Sequence, residues 1–425
     1  MNQEIVTKTE QILDSYQLCD PCLGRLFGKL GYAMTDEERG AGLRVALALM
    51  QNREIVPKLD PDLCELCSGL FNQVTRWGER IWEKAREYEF ESFLIGNNLP
   101  PGLEEKQKEI VDRFQLGEAE DPGHHFNRET GKALTKYARR DRREIDVDFE
   151  LPEVTFFVDL EEEKLKLQIR SLYIYGRYRK LVRGIPQTKW PCKRCGGSGC
   201  SYCDYTGKIY PTSVEELIAA PFLEAAGAEE PILHGAGRED VDAKALGEGR
   251  PFVLELTRPR RRKLDLSRLG EQLEREEDRV GVSALRFVNG RAVAAIKEAR
   301  PDKSYRVEVK VGSDLEEERL RNVLKELKGE IYQRTPHRVA HRRADKVRVR
   351  RVKEVRGKKL APAKFQLEIL CEGGLYVKEL ISSDGGRTKP SLAAKLGREA
   401  EVTKLDVLGI EAGLKEVEGE GYVLE

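Results

Sequence analysis

The sequence has no excess of charge of either sign: Lys plus Arg and Asp plus Glu both number 74 in 425 residues. Composition therefore selects no anionic partner, and any nucleic-acid surface has to come from local segregation of charge. Aromatics are scarce at 7% and methionines number three, whereas charged residues reach 35%, an ion-paired composition that suits a heat-tolerant organism. No apolar run approaches the roughly 18 residues of a membrane span. The start, MNQEIVTKTEQ, carries no signal-peptide core, so a cytoplasmic protein without membrane contact is expected. In that compartment the nine cysteines are not read as disulfides.

The length suits about two to four domains, each able to bury its own core. Ile5, Ile12, Leu13 and Tyr16 predict a helix ending before Cys19. Thr35 and Glu38 form a capping-box pattern that opens a helix through Leu43, Ala46, Leu47 and Met50. Residues 75–120 read as mostly helical, with a loop at Asn97–Pro101. A helix over 126–139 precedes strands at Val154–Val158 and Leu165–Ile169, joined as a hairpin by the acidic tip Glu161–Glu163. From 213 a helix (VEELIAAPFLEAAG) leads into strands at Phe252–Leu256, Tyr305–Val311, Val347–Val355, Phe365–Cys371 and Val402–Ile410. One amphipathic helix carries Leu320, Val323, Leu324 and Leu327. The class is α+β, with a mostly antiparallel mixed sheet in the C-terminal part.

Cys19 and Cys22, then Cys64 and Cys67, form two C-x2-C pairs, and two residues between thiolates suit one edge of a tetrahedral zinc site. Cys192, Cys195, Cys200 and Cys203 form a second set, in which Gly196, Gly197, Gly199 and Gly207 allow the tight turns of a zinc knuckle. All-sulfur sites with no spare position are structural. The second set could also fold as a glycine-rich turn without metal, and a redox role is the weaker alternative for either. Cys371 is left to pack in a strand.

Tyr173, Tyr175, Arg177, Tyr178, Arg179, Lys180 and Arg183 interleave rings and cations, which offers either phosphate contact with base stacking or an amphipathic strand with core tyrosines. RTPHRVAHRRADKVRVRR, residues 334–351, has eight basic residues against one Asp; near-absence of acidic partners favours a phosphate-contacting loop over a solvated face. Arg258, Arg260, Arg261, Arg262 and Lys263 form a further cluster. In HGAGREDVDAKALGEGRPF, an Asp in a glycine-rich turn ordinarily holds the turn through its own side chain. The G-x-G lacks the strand-before, helix-after context of a nucleotide loop.

GREDVDAKALGEGRPF, KSYRV, QRTPHRVAHRRAD and GLYVKELISSDGGRTKPS together resemble the archaeal and eukaryotic tRNA pseudouridine synthases of the "Pus ten" family. SLYIYGRYRKLVRGIPQTKWPC and the first two cysteine pairs are similar to that family's RNA-binding half, which carries a THUMP domain. The resemblance implies a zinc-binding, THUMP-containing RNA-binding domain over 1–187, a four-cysteine knuckle and linker over 188–212, and a catalytic domain over 213–425. It implies Asp240 as nucleophile, Arg238 as a wedge into the RNA, and Tyr305 and Tyr376 as rings around the uracil. Lys378 takes the position of the basic partner, Lys where many relatives have Arg, and is expected with Tyr376 on one face of a strand. Arg342, Arg343 and Arg348, with Arg177, Arg179 and Lys180, are the expected RNA contacts. The implied substrate is the T-arm of tRNA, at T-loop positions 54 and 55. A monomer is expected, with structural zinc, no redox or nucleotide cofactor and no obligate protein partner. The alternative is a THUMP and zinc RNA-binding protein, or a THUMP-fused methyltransferase, without isomerase activity; the latter needs a glycine-rich nucleotide loop that the sequence does not offer.

Overall fold

Reciprocal capping decides one of the first helices. The Glu38 amide donates to Thr35 Oγ1 at 3.2 Å while the Thr35 amide donates to Glu38 Oε2 at 2.8 Å, and the helix Asp36–Gln51 follows. The structure is a computed structural model that describes residues 3–117, 119–417 and 421–424, with backbone alone at residue 342 and beyond residue 415. It divides into two units, residues 1–170 and 171–425.

In the first unit, strands β1 (Ser92–Asn98), β2 (Asp146–Val147), β3 (Val154–Asp159) and β4 (Lys164–Ile169) form a sheet in the order β2-β1-β3-β4. The pairs of β1 are parallel, and β3 and β4 make the expected antiparallel hairpin. Phe93, Phe126 and Phe156 fill the core. The helices Val74–Ala85 and Pro122–Arg140 cross closely at Gly78, where a Cβ would lie 2.6 Å from the Ala133 Cβ. β1 corrects the loop read over Asn97 and Asn98. Phe93 and Ile95 alternate inward, and Asn97 satisfies its amide on Gly123 O at 3.0 Å and Asn127 at 2.7 Å, so polar residues continue the strand.

The second unit is built on ten strands: β5 (Leu172–Lys180), β6 (Pro231–Gly235), β7 (Lys244–Leu256), β8 (Val280–Val288), β9 (Lys303–Val311), β10 (Gly329–Arg334), β11 (Val347–Ala361), β12 (Lys364–Cys371), β13 (Thr388–Lys389) and β14 (Ala400–Ile410). Their order is β13-β10-β11-β12-β9-β14-β7-β5-β8, with β6 on β7. The pairings described are antiparallel except β7 with β14, where Lys244 faces Asp406 and Ala245 faces Val407. That seam sets the loop before β7 beside β14 and β9. Because the units divide between Arg170 and Ser171, β5 is an interior strand of this sheet rather than part of the first domain expected over 1–187. Its tyrosines follow the core reading: Tyr175 and Tyr178 are buried.

The segment carrying Tyr376 and Lys378 also differs from expectation. Tyr376 is the residue before a short helix, Val377–Ser382, and Lys378 lies in its first turn. Val377, Leu380 and Ile381 recur at helical spacing and are all buried, which outweighs the two-residue repeat of Leu375 and Val377.

Candidate active site

The glycine-rich turn between β6 and β7 is held from beneath by a buried polar network. Glu239, 6% exposed, accepts from Arg250 Nε at 2.8 Å and from the Tyr178 hydroxyl at 2.9 Å. Arg250 also donates to Ala236 O at 2.8 Å, and Gln187 Nε2 donates to the Tyr178 hydroxyl at 2.8 Å and to Gly237 O at 3.0 Å. Lys180 Nζ reaches Asp240 O at 3.2 Å and Val241 O at 3.0 Å, and Arg183 donates to Asp242 O at 2.7 Å. Burial pulls the Lys180 pKa down and, with the Glu239 charge, pushes the Tyr178 hydroxyl up. Each donor fixes a backbone carbonyl or a carboxylate, so the turn presents the Asp240 side chain in one place.

That side chain faces a cavity of about 490 Å³ in the second unit. Lys378 Nζ lies 3.2 Å from Asp240 Oδ2 and 3.0 Å from Asp242 Oδ2. Burial alone would lower the Lys378 pKa, but the hydrogen bond it donates to Asp242 and the Asp240 charge outweigh it and raise it. Tyr305 and Tyr376 line the same cavity, so the structure brings together Asp240, Lys378 and both rings from separate elements. Burial, then the neighbouring Cys371, pushes the Tyr305 hydroxyl pKa up, so the ring enters as a neutral phenol. Arg238 sits at the rim with its guanidinium 5.5 Å from the centre of the Trp190 ring.

Arg338 was missed by the sequence reading. It places Nη1 3.4 Å from Asp240 Oδ1, donates through Nε to Glu379 at 2.6 Å, and lies over the Tyr376 ring at 5.8 Å. The basic run that contains it was legible; which of its arginines turns inward was not. Glu239, Arg250 and Gln187 were missed as well, since buried positioning groups leave no local signature.

The expected RNA contacts divide. Arg343 and Arg348 line the cavity, with Arg348 Nη1 also on Thr335 Oγ1 at 2.8 Å. The Arg342 side chain lies outside the described residues. Lys180 is fully buried under the glycine-rich turn, a correction to its expected phosphate role. Arg177 is directed instead to backbone carbonyls, including Gly249 O and Ile410 O at 2.9 Å, and Arg179 pairs with Glu274 at 3.0 Å.

Both cysteine sets can hold a metal ion. In each, the four Sγ atoms lie within 4.8 Å of one another. Cys19 Sγ is 3.7 Å from Cys67 Sγ, and Cys203 Sγ is 3.9 Å from Cys195 and 3.8 Å from Cys200. A tetrahedron with metal–sulfur bonds of about 2.3 Å has edges of about 3.8 Å, so the donor sets fit. The Cys19–Cys67 cluster is wholly buried, whereas Cys195 and Cys200 are half-buried.

The archaeal Pus10 THUMP domain family matches residues 77–159, and the Pus10 C-terminal family matches residues 173–411, more than half of the chain. The tRNA pseudouridine synthase Pus10 of Pyrococcus furiosus is 40% identical over 98% of this chain and 100% of its own length. That of Methanocaldococcus jannaschii is 40% identical over 96% of this chain and 95% of its own, and that of Methanothrix thermoacetophila 38% identical over 96% and 94%. With its catalytic-half match and full-length relatives agreeing, the chain belongs to the Pus10 family of tRNA pseudouridine synthases.

Proposed function

We propose that this enzyme isomerises uridine to pseudouridine at positions 54 and 55 of the tRNA T-loop, with Asp240 as the nucleophile. The observation that carries this reading is the placement of Asp240 on a pinned turn, 3.2 Å from Lys378 and 3.4 Å from Arg338, over a cavity that also holds Tyr305 and Tyr376. Lys378 and Arg338 hold one carboxylate oxygen each, Oδ2 and Oδ1, which fixes the orientation a nucleophile needs.

The target base is stacked in folded RNA and has to be extruded before a side chain reaches its sugar. Extrusion costs a few kcal/mol, and stacking of about 1–3 kcal/mol per base against Tyr305 and Tyr376 offsets it. Asp240 attacks the nucleoside, and the N1–C1′ bond breaks with its electron pair left on the uracil. The base rotates, C5 bonds to C1′ as the ester bond between Asp240 and C1′ breaks and frees the carboxylate, the proton on C5 departs and N1 gains one. Bonds broken and formed balance, and no electron is gained or lost. Arg238 at the rim holds the gap left by the base, and Arg343 and Arg348 take phosphates. The two cysteine sets hold zinc, which ties together the loops that carry them.

Mapping pseudouridine after incubating the full-length enzyme with unmodified tRNA transcript tests this reading. Product at both T-loop positions is expected. Product elsewhere overturns the site, and no product overturns the activity.

A further inference from the structure

The cavity contains a cation that the reaction as drawn leaves without a task. Lys303 opens β9 two residues before Tyr305, so the two side chains share a face, and both line the cavity. Its backbone pairs with Cys371 on β12 and Ile410 on β14, inside the sheet. Its ammonium reaches the turn that bears Asp240: a Cβ at Gly237 would lie 2.8 Å from Lys303 Nζ and 3.4 Å from Arg250 Nη1. Gly237, at φ +77°, thus leaves room for this ammonium.

The other cations lining the cavity are either exposed, as Arg238, Lys297, Arg300 and Arg343 are, or have partners. Lys378 is held by Asp240 and Asp242, Arg338 by Glu379, Arg250 by Glu239 and Arg348 by Thr335. Among the described residues Lys303 makes no ion pair or hydrogen bond of its own through Nζ. A half-buried ammonium without a partner is costly, and such a group in a cleft is a mark of function. It is also deep. A phosphate stays with the RNA backbone near the mouth, where Arg343 lies, whereas an extruded base is the part of the substrate that enters furthest.

We propose that Lys303 is a catalytic residue whose Nζ donates a hydrogen bond to a carbonyl oxygen of the extruded uracil. The inference rests on the isomerase reading above. When the N1–C1′ bond breaks, the electron pair left on the base spreads over N1 and the carbonyl oxygens. A donor placed at either oxygen stabilises that anion with no proton transferred, and the charge is discharged when C5 bonds to C1′ and its proton leaves. Burial, then the Arg250 charge, pulls the Lys303 pKa down to about 7, against the opposing influence of Cys371 and Glu239. An arriving anionic base relieves that penalty, which makes the interaction stronger after bond cleavage than before it.

The test uses the full-length enzyme and tRNA transcripts with uridine, 2-thiouridine or 4-thiouridine at the target position. Lys303→Met should cut the single-turnover rate on uridine by about 10²-fold, the effect of removing one well-placed donor, with tRNA affinity and melting temperature nearly unchanged. Sulfur accepts hydrogen bonds poorly, so one of the two thio substitutions should slow wild type yet leave the Met variant no slower than on uridine. Lys303→Gln, which keeps a donor, should retain part of the rate. The proposal is overturned if each thio substitution has the same effect in both proteins, if Met turns over at the wild-type rate, or if both variants lose activity only as they lose fold. Absence of pseudouridine in the wild type would instead sink the isomerase reading.

Discussion

Asp240 and Asp242 share one ammonium, and setting rather than residue type favours Asp240 as the proposed nucleophile. Asp242 is 69% exposed in its side chain and Asp240 36%, and Asp240 alone also meets Arg338. Partial burial opposes ionisation of Asp242, but Lys378 outweighs it and holds the carboxyl below its ordinary range. Asp240→Asn should therefore abolish pseudouridine formation while tRNA binding stays within a few-fold, because in the proposed reaction the carboxylate is the nucleophile and not a phosphate contact. Asp242→Asn should slow single turnover only modestly. If the two variants exchange these behaviours, the nucleophile is Asp242. Beneath them, Arg250 and Glu239 are each 1% exposed in their side chains. Arg250→Met leaves a buried carboxylate without its partner and should cost about 3–5 kcal/mol in chemical denaturation, far more than any exposed pair here.

At the scale of elements, what was legible depended on length and period. The capping box at Thr35, the helix through Leu320 and Leu324, and the hairpin across Glu161–Glu163 appear where sequence spacing puts them. The helix Val377–Ser382 was read as strand because six residues are too few for either period to declare itself. Helices Leu266–Glu276 and Arg291–Glu298, and strand β8, were not identified; a bulge between Ser283 and Arg286 breaks the two-residue period of β8. Tyr305 is the hardest case, since Val307, Val309 and Val311 continue its face into the core. A core role makes Tyr305→Ala lose a few kcal/mol of stability and Tyr305→Phe silent. A stacking role leaves the Ala variant's melting temperature almost unchanged and lowers its turnover by orders of magnitude, and that is the expected result. Thermal melts beside single-turnover rates decide it. The cysteine spacings were fully legible, because thiols held in pairs by short loops need little from the rest of the fold. Metal analysis should find two zinc ions per chain, and a stoichiometry of one would reject the half-buried Cys195 and Cys200 set.

The whole molecule is electrically neutral, so its hold on a polyanion has to depend on where the 74 basic residues lie. Sequence alone could not separate the two arginine-rich stretches; partners do. Arg177 is engaged with backbone carbonyls, and Arg179 with Glu274, both from the interior strand β5. In residues 334–351 the one acidic residue, Asp345, is taken by Arg334 and Arg387, and Arg343 and Arg348 border the cavity. A cation already satisfied by protein gains little from a phosphate, whereas one beside the cavity mouth displaces counterions when RNA arrives. Each such contact contributes about 0.7–0.9 to the slope of log affinity against log salt. Replacing Arg343 and Arg348 together by Gln should therefore weaken tRNA binding and flatten that slope by about one to two units. Arg179→Gln should leave the slope as it is. Titrations of the full-length protein across a range of salt concentrations measure both, and an unchanged slope in the double variant would make residues 334–351 a solvated face after all.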